Sequence, residues 1–226
     1  QEPLMRISAP LAQAQLIETA ILNIVNFQTL IASKTSHIIS AAKGADILEF
    51  GLRRAQGCDA GFYGARASYI AGAAGTSNVL AGKHLGIPVK GTHSHSYVMS
   101  FECELDAFMN YAKAYPDTCL LLVDTYNTIE SGVPNAIKVF DQLRKSGHEP
   151  VGIRIDSGDL AYISKKARQM LDDAGYEKAQ ICASGDLDEY VIEDLLIQGA
   201  KIDSFGVGTR LITGWDNPAL GGVYKM

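Results

Sequence analysis

The sequence predicts an α/β fold: a (β/α) barrel, incomplete as it stands, preceded by one long helix. Three observations predict it. Short unbroken apolar runs alternate with amphipathic stretches along the chain. A glycine closes most of the amphipathic stretches, as left-handed residues at helix ends do. Small, polar and charged residues follow almost every apolar run.

The elements follow in order. Residues 11–42 read as one helix: Pro10 precedes them, and Leu16, Ala20, Ile21, Ile24, Phe27, Leu30 and Ile31 recur near a 3.6-residue period until Gly44. Apolar runs at 45–50, 87–90, 119–123, 151–155, 180–183 and 202–207 read as parallel strands buried on both faces. Amphipathic stretches at 59–71, 78–85, 102–114, 133–146, 159–174 and 187–198 read as the helices between them. Gly44, Gly86, Gly147, Gly175 and Gly199 terminate helices. The last residues, from Gly221 to Met226, look like the start of a further strand. Residues 1–43 are assigned to the remnant of an N-terminal region and 44–226 to the barrel. The chain is read as part of a longer polypeptide.

Composition bounds the function. Of 226 residues, 47 % are apolar and 20 % charged, and the formal charge is −5, so no cationic face for nucleic acid or an anionic membrane is indicated. The apolar runs are far shorter than a membrane span. Cys58, Cys103, Cys119 and Cys182 form no C-x-x-C pair, which argues against a zinc site and fits a reducing cytoplasm. Cys119 and Cys182 lie in strand runs and are expected to be buried.

The residues past the strands favour a ring. Six loops in succession carry functional groups, and only in a TIM-like barrel do all such loops meet on one rim. Ser184-Gly185-Asp186 and Gly206-Val207-Gly208-Thr209 are turns whose backbone N–H groups suit a phosphate. Arg154 and Asp156 share one face of their strand end, which calls for mutual pairing or a ligand. Ser157-Gly158-Asp159 caps the next helix. Phe50 beside Arg53 and Arg54 suits an aromatic carboxylate, with a solvated charge pair as the alternative. His93 and His95 flank Ser94; with no further ligand nearby, no metal is assigned, and a base or nucleophile is favoured over a purely structural histidine.

Taken together, these motifs resemble the nicotinate phosphoribosyltransferase family from Ala9 onward. The matching residues are Glu49-Phe50-Gly51-x-Arg53-Arg54, Gly91-Thr92-x-x-His95-Ser96, Asp124-Thr125-Tyr126, Arg154-x-Asp156-Ser157-Gly158-Asp159-Leu160, Ser184-Gly185-Asp186 and Phe205-Gly206-Val207-Gly208-Thr209. The resemblance implies a type II phosphoribosyltransferase barrel. It implies a reaction of nicotinate with 5-phosphoribosyl 1-pyrophosphate (PRPP) that yields nicotinate mononucleotide and pyrophosphate in NAD biosynthesis. ATP would be a co-substrate and magnesium would accompany both phosphate compounds.

The resemblance also distributes roles. His95 would be phosphorylated by ATP, with His93, at a variable position, the weaker candidate. Arg154 and Asp156 complete the catalytic set, Asp156 near the ribose or its magnesium. Phe50 would stack on the pyridine ring, and Arg53 and Thr92 would lie near nicotinate and pyrophosphate. Ser157 and Gly158 belong to the binding set. Gly185, Gly206, Gly208 and Thr209 would cradle the 5-phosphate. Ser77, where the nicotinamide-using relative carries Asp, would leave room for the nicotinate carboxylate. A cytoplasmic homodimer is implied. The family's enzymes have further N-terminal and C-terminal segments, so part of the long helix's apolar face is expected to be exposed. The alternatives are an inactive phosphate-binding fragment and a quinolinate-type phosphoribosyltransferase barrel.

Overall fold

The computed structural model describes residues 2–225. The long helical stretch divides at Ile17 into α1 (Leu11–Leu16) and α2 (Glu18–Ala41). The remaining elements are β1 (Asp46–Glu49), α3 (Cys58–Ile70), β2 (Gly75–Thr76), α4 (Val79–Leu85), α5 (His95–Met99), α6 (Glu104–Ala114) and β3 (Leu120–Leu122). They continue with α7 (Val133–Lys145), β4 (Gly152–Ile155), α8 (Leu160–Asp173), β5 (Gln180–Gly185), α9 (Glu189–Ile197), β6 (Ser204–Val207) and α10 (Thr209–Ile212).

The strands form one parallel sheet in the order β2-β1-β6-β5-β4-β3. The first strand lies beside the last, so the sheet curls back on itself as a barrel does. The ring stays open between β2 and β3. Three differences from the sequence reading matter. The apolar run at 87–90 makes a single parallel bridge, Val89 to Thr76, and not a full strand. Gly75–Thr76, which carries no apolar signal, is a strand because it pairs with Leu48 and Glu49 of β1. The chain end at 221–225 has no regular structure.

Two apolar layers hold the sheet. Leu121, Val123, Ile153, Ile155 and Ile181 pack with α6, α7 and α8 through residues such as Phe108, Phe140 and Leu171. Ile47, Ala183, Phe205 and Val207 pack with Ile31 and Ile38 of α2 and Ile192 of α9. Burial at about 25 cal/mol per Å² of apolar surface makes these layers the principal stabilising term. The C-terminal half of α2 is thus part of the core, whereas Leu11, Leu16, Ile17 and Ile24 are exposed. Lys34 of α2 is buried and binds Glu189 and Asp216, at 2.8 and 2.6 Å. Cys119 and Cys182 are buried and Cys58 and Cys103 exposed, all four as free thiols.

The opposite side chains line the inside of the ring. Register places Leu122, Arg154, Ser184 and Gly206 toward it from four adjacent strands. Because two of these are Ser and Gly, the upper interior is not filled, and a cleft of about 480 Å³ opens at the C-terminal rim.

Candidate active site

The cleft gathers residues from every strand end. It is lined by Phe50, Arg53 and Arg54 after β1, Ser77 after β2, and the segment from Gly91 to His95. Arg154 and Asp156 come from β4, Ser184, Gly185 and Asp186 from β5, and Gly206, Gly208 and Thr209 from β6. Of the residues expected to have a catalytic or binding role, Ser157 and Gly158 stand outside the lining. Ser157 lies one layer behind, its hydroxyl donating to Asp124 Oδ2 at 2.6 Å. Gly158 has φ +82°, a left-handed conformation that sets up Asp159, whose carboxylate caps α8 at the Tyr162 N–H.

Arg154 is the hub. Its Nε donates to Ser184 Oγ at 2.7 Å, Nη1 to Thr92 Oγ1 at 2.8 Å and Nη2 to Asp156 Oδ1 at 2.8 Å. Three strand-end loops are therefore tied by one planar fork. The guanidinium also lies 5.6 Å from the Phe50 ring centroid. Burial alone would raise the Asp156 carboxyl pKa, but hydrogen bonds from Ser184 and Arg154 and the charges of Arg154 and His95 hold it below its ordinary value.

His95 begins α5 and is partly exposed. Its Nδ1 lies 3.2 Å from Thr125 Oγ1, and its Nε2 faces Asp124 Oδ1 at 3.8 Å and Asp156 Oδ2 at 3.7 Å. Asp124 is fixed in turn: its Oδ2 accepts from the Asp156 N–H at 2.9 Å and from Ser157, while its buried Oδ1 has no hydrogen-bond partner. Asp124 and Thr125 belong to the Asp124-Thr125-Tyr126 motif, to which the sequence assigns no role. The only signal was their place just past a strand.

The rim is shaped by missing side chains. A Cβ on Gly206 would stand 2.4 Å from Phe50 Cδ2, so this glycine seats the Phe50 ring. Gly185, at φ +121°, passes so close to the Asp156 carbonyl that a Cβ would lie 2.9 Å from its oxygen. Below them Glu49, buried, accepts from Thr76 Oγ1 at 2.6 Å and from the Gly51 N–H, locking β1 to β2; burial raises its pKa despite these bonds. Arg53 and Arg54 are exposed at the cleft, and neither is engaged by an acid among the described residues. Two unpaired guanidinium groups opposite a glycine rim provide for an anion with more than one charged end.

A parallel half-barrel with a cleft of arginines and glycine turns on its C-terminal rim is the class that fold and site define. The nicotinate phosphoribosyltransferase (NAPRTase) family model matches residues 45–226. The nicotinate phosphoribosyltransferase of Bacillus subtilis (strain 168) is 56 % identical over 225 residues, covering 100 % of this chain and 46 % of that protein. The crystal structure of human nicotinic acid phosphoribosyltransferase superposes with a TM-score of 0.82 at 30 % identity, over 88 % of this chain and 51 % of that one. That of nicotinate-nucleotide pyrophosphorylase from Pyrococcus furiosus gives 0.72 at 27 % identity, over 86 % and 49 %. The chain belongs to the nicotinate phosphoribosyltransferase family. It spans about half the length of these relatives.

Proposed function

We propose that this chain carries the cleft of an enzyme that joins nicotinate to PRPP, forming nicotinate mononucleotide and pyrophosphate, with ATP hydrolysis coupled through a phosphohistidine at His95. The observation that carries the reading is the convergence of Phe50, Arg53, Arg154, His95 and the Gly185, Gly206 and Gly208 turns on one rim.

In the proposed reaction the pyridine nitrogen of nicotinate attacks ribose C1 as the bond from C1 to the pyrophosphate oxygen breaks and its electron pair leaves on pyrophosphate. Catalysis rests on positioning and on charge placed where it develops. Phe50 offers an apolar ring to the pyridine. The free guanidinium groups of Arg53 and Arg54 face the carboxylate and pyrophosphate. Ser77, neutral, does not repel the nicotinate carboxylate, and the Gly208-Thr209 backbone receives the 5-phosphate. Ser157 and Gly158 support this set from behind through Asp124 and the α8 cap.

In the ATP half-reaction an imidazole nitrogen of His95 attacks the γ-phosphorus and ADP departs. Positive charge grows on the ring, and the Asp124 and Asp156 carboxylates near Nε2 balance it. Water later hydrolyses the phosphohistidine to phosphate. Among the described residues no group of three or more His, Cys, Asp or Glu side chains is placed to hold a metal ion. Magnesium fits this cleft as an ion carried by the substrates' phosphates, with Asp156 Oδ2, which makes no hydrogen bond, as its protein oxygen. When bound it neutralises the departing pyrophosphate.

We place the protein in the cytoplasm as a homodimer, as the family resemblance implies; the exposed apolar residues of α1 and early α2 support the association of two copies. No helix among the described residues is long and apolar enough to cross a membrane. The test is incubation with γ-labelled ATP and magnesium, scoring acid-labile, base-stable label on wild type and His95→Ala. Label lost with the histidine supports the coupling. Label retained in the variant, or absent from both this chain and a version extended at both ends, refutes the role of His95.

A further inference from the structure

His93 is buried, lies two residues before His95 and was the weaker candidate of the pair. Its ring packs among Tyr97, Phe108 and Tyr111, with centroid distances of 5.4, 5.7 and 4.8 Å. Its Nε2 accepts a hydrogen bond from the backbone N–H of Leu122 at 3.1 Å. That N–H belongs to the open edge of the ring. On β3, the Val123 N–H donates to Arg154 O of β4. Successive N–H groups of a strand point to opposite sides, so the Leu122 N–H points away from β4, toward the gap. On the other side of the gap the Pro88–Lys90 segment spends its hydrogen bonds on Thr76, through Pro88 O and Lys90 N. No backbone hydrogen bond joins that segment to β3 among the described residues.

Two imidazoles span the gap instead. His95 reaches the loop after β3 at Thr125. His93 reaches the strand itself. The two differ in one respect. His95 must exchange partners if it accepts a phosphoryl group, whereas His93 is sealed among aromatic rings. A backbone N–H can only donate, so His93 Nε2 must keep its lone pair. Burial, the first cause, lowers the His93 pKa to about 4, consistent with a ring that stays neutral.

We propose that His93 is a positioning residue that closes the barrel between the Thr92-to-His95 segment and β3, holding His95 against Asp124 and Thr125 while His95 cycles through its phosphorylated form. The proposal rests on the reading of His95 above. His93 touches no reacting atom; it fixes the frame that carries His95.

The test compares His93→Phe and His93→Gln in the full chain. Phe keeps the aromatic packing and removes the acceptor, leaving the Leu122 N–H buried and unpaired. Gln places an amide oxygen near the position of Nε2. Two readouts are followed: exchange of the Leu122 amide with deuterium, and the single-turnover rate of His95 labelling from γ-labelled ATP. The expected result for His93→Phe is Leu122 exchange faster by about tenfold and labelling slower by about tenfold, with both recovered in large part by His93→Gln. Unchanged Leu122 exchange in His93→Phe overturns the closure. Faster exchange with unchanged labelling overturns the positioning of His95. A melting temperature lowered in both variants with labelling intact also refutes it, since that is what packing alone predicts. If neither the wild type nor a version extended at both ends takes label, the role of His95 falls, and Leu122 exchange alone decides the closure.

Discussion

Replacing Arg154 with Met keeps an unbranched apolar stem and removes the guanidinium. Three hydrogen bonds are lost, to Thr92, Ser184 and Asp156. A hydrogen bond to a charged group contributes about 1.5–3 kcal/mol, and breaking a fully buried ion pair costs about 3–5 kcal/mol. Here the Arg154 and Asp156 side chains are 18 % and 27 % exposed, so water reaches the carboxylate and the lower range applies. We expect a loss of about 2–3 kcal/mol, or about 4–12 °C in Tm for a chain of this size. The pH dependence carries the sign. Asp156 has its folded pKa below its unfolded value, so its contribution is present above the unfolded carboxyl value and is lost as pH falls through the folded one. Arg154→Met removes two of the causes of that depression. Tm measured by calorimetry from neutral to acid pH should therefore show a full gap between wild type and variant near neutrality, narrowing as acid protonates Asp156. A gap that is constant or widens with acid refutes the view of Arg154 as the electrostatic hub.

Further expectations follow from single contacts. Gly206→Ala drives a Cβ into the Phe50 ring, at 2.4 Å from Cδ2 and 2.5 Å from Cε2, and should weaken nicotinate binding by about tenfold, read by calorimetric titration; an unchanged Kd means the ring does not meet the substrate. Thiol labelling should find two reactive cysteines of four in the native protein, Cys58 and Cys103, because burial pushes Cys119 up to about 12 and raises Cys182; all four should react in denaturant, and early reaction of Cys119 would show that β3 opens. Lys34→Met removes the cation between Glu189 and Asp216 and should cost about 1–2 kcal/mol in denaturant unfolding; no change would show that apolar packing alone fixes α2.

Much of this was legible in the sequence, and the reason differs by element. β1 and β3 to β6 announce themselves because the face that packs under the helices carries a short apolar run in each strand. β2 is silent: Gly75 and Thr76 pair only because β1 lies alongside, and Gly75 carries no side chain precluding the close approach of Pro88 O. The run at 87–90 is apolar, yet Pro88 has no N–H to offer a ladder, and one bridge remains. α5 was hidden in a run of His and Ser that resembles a loop, although Ser94 caps it by accepting from the Tyr97 N–H. A π-helical turn at Thr128–Gly132, led by Asn127, also gave no periodic signal. In the cleft, residue types at strand ends were readable. Their couplings were not, because Arg154 with Thr92 and Asp124 with Ser157 join residues 62 and 33 apart in the chain. His93 was the hardest: nothing in its spacing says that its acceptor is for a strand edge.

The gap in the ring has a mechanical consequence. A hoop of parallel strands laced all the way round can change its girth only by tearing backbone bonds. This hoop is laced from β2 round to β3 and buckled by two side chains across the remaining gap. A buckle can slacken by rotating about a side-chain bond, which is far easier than unzipping a ladder. Any widening of the mouth is therefore directed to one azimuth, the one where His95 sits. The glycine turns after β5 and β6 lie on the laced arc, away from that azimuth.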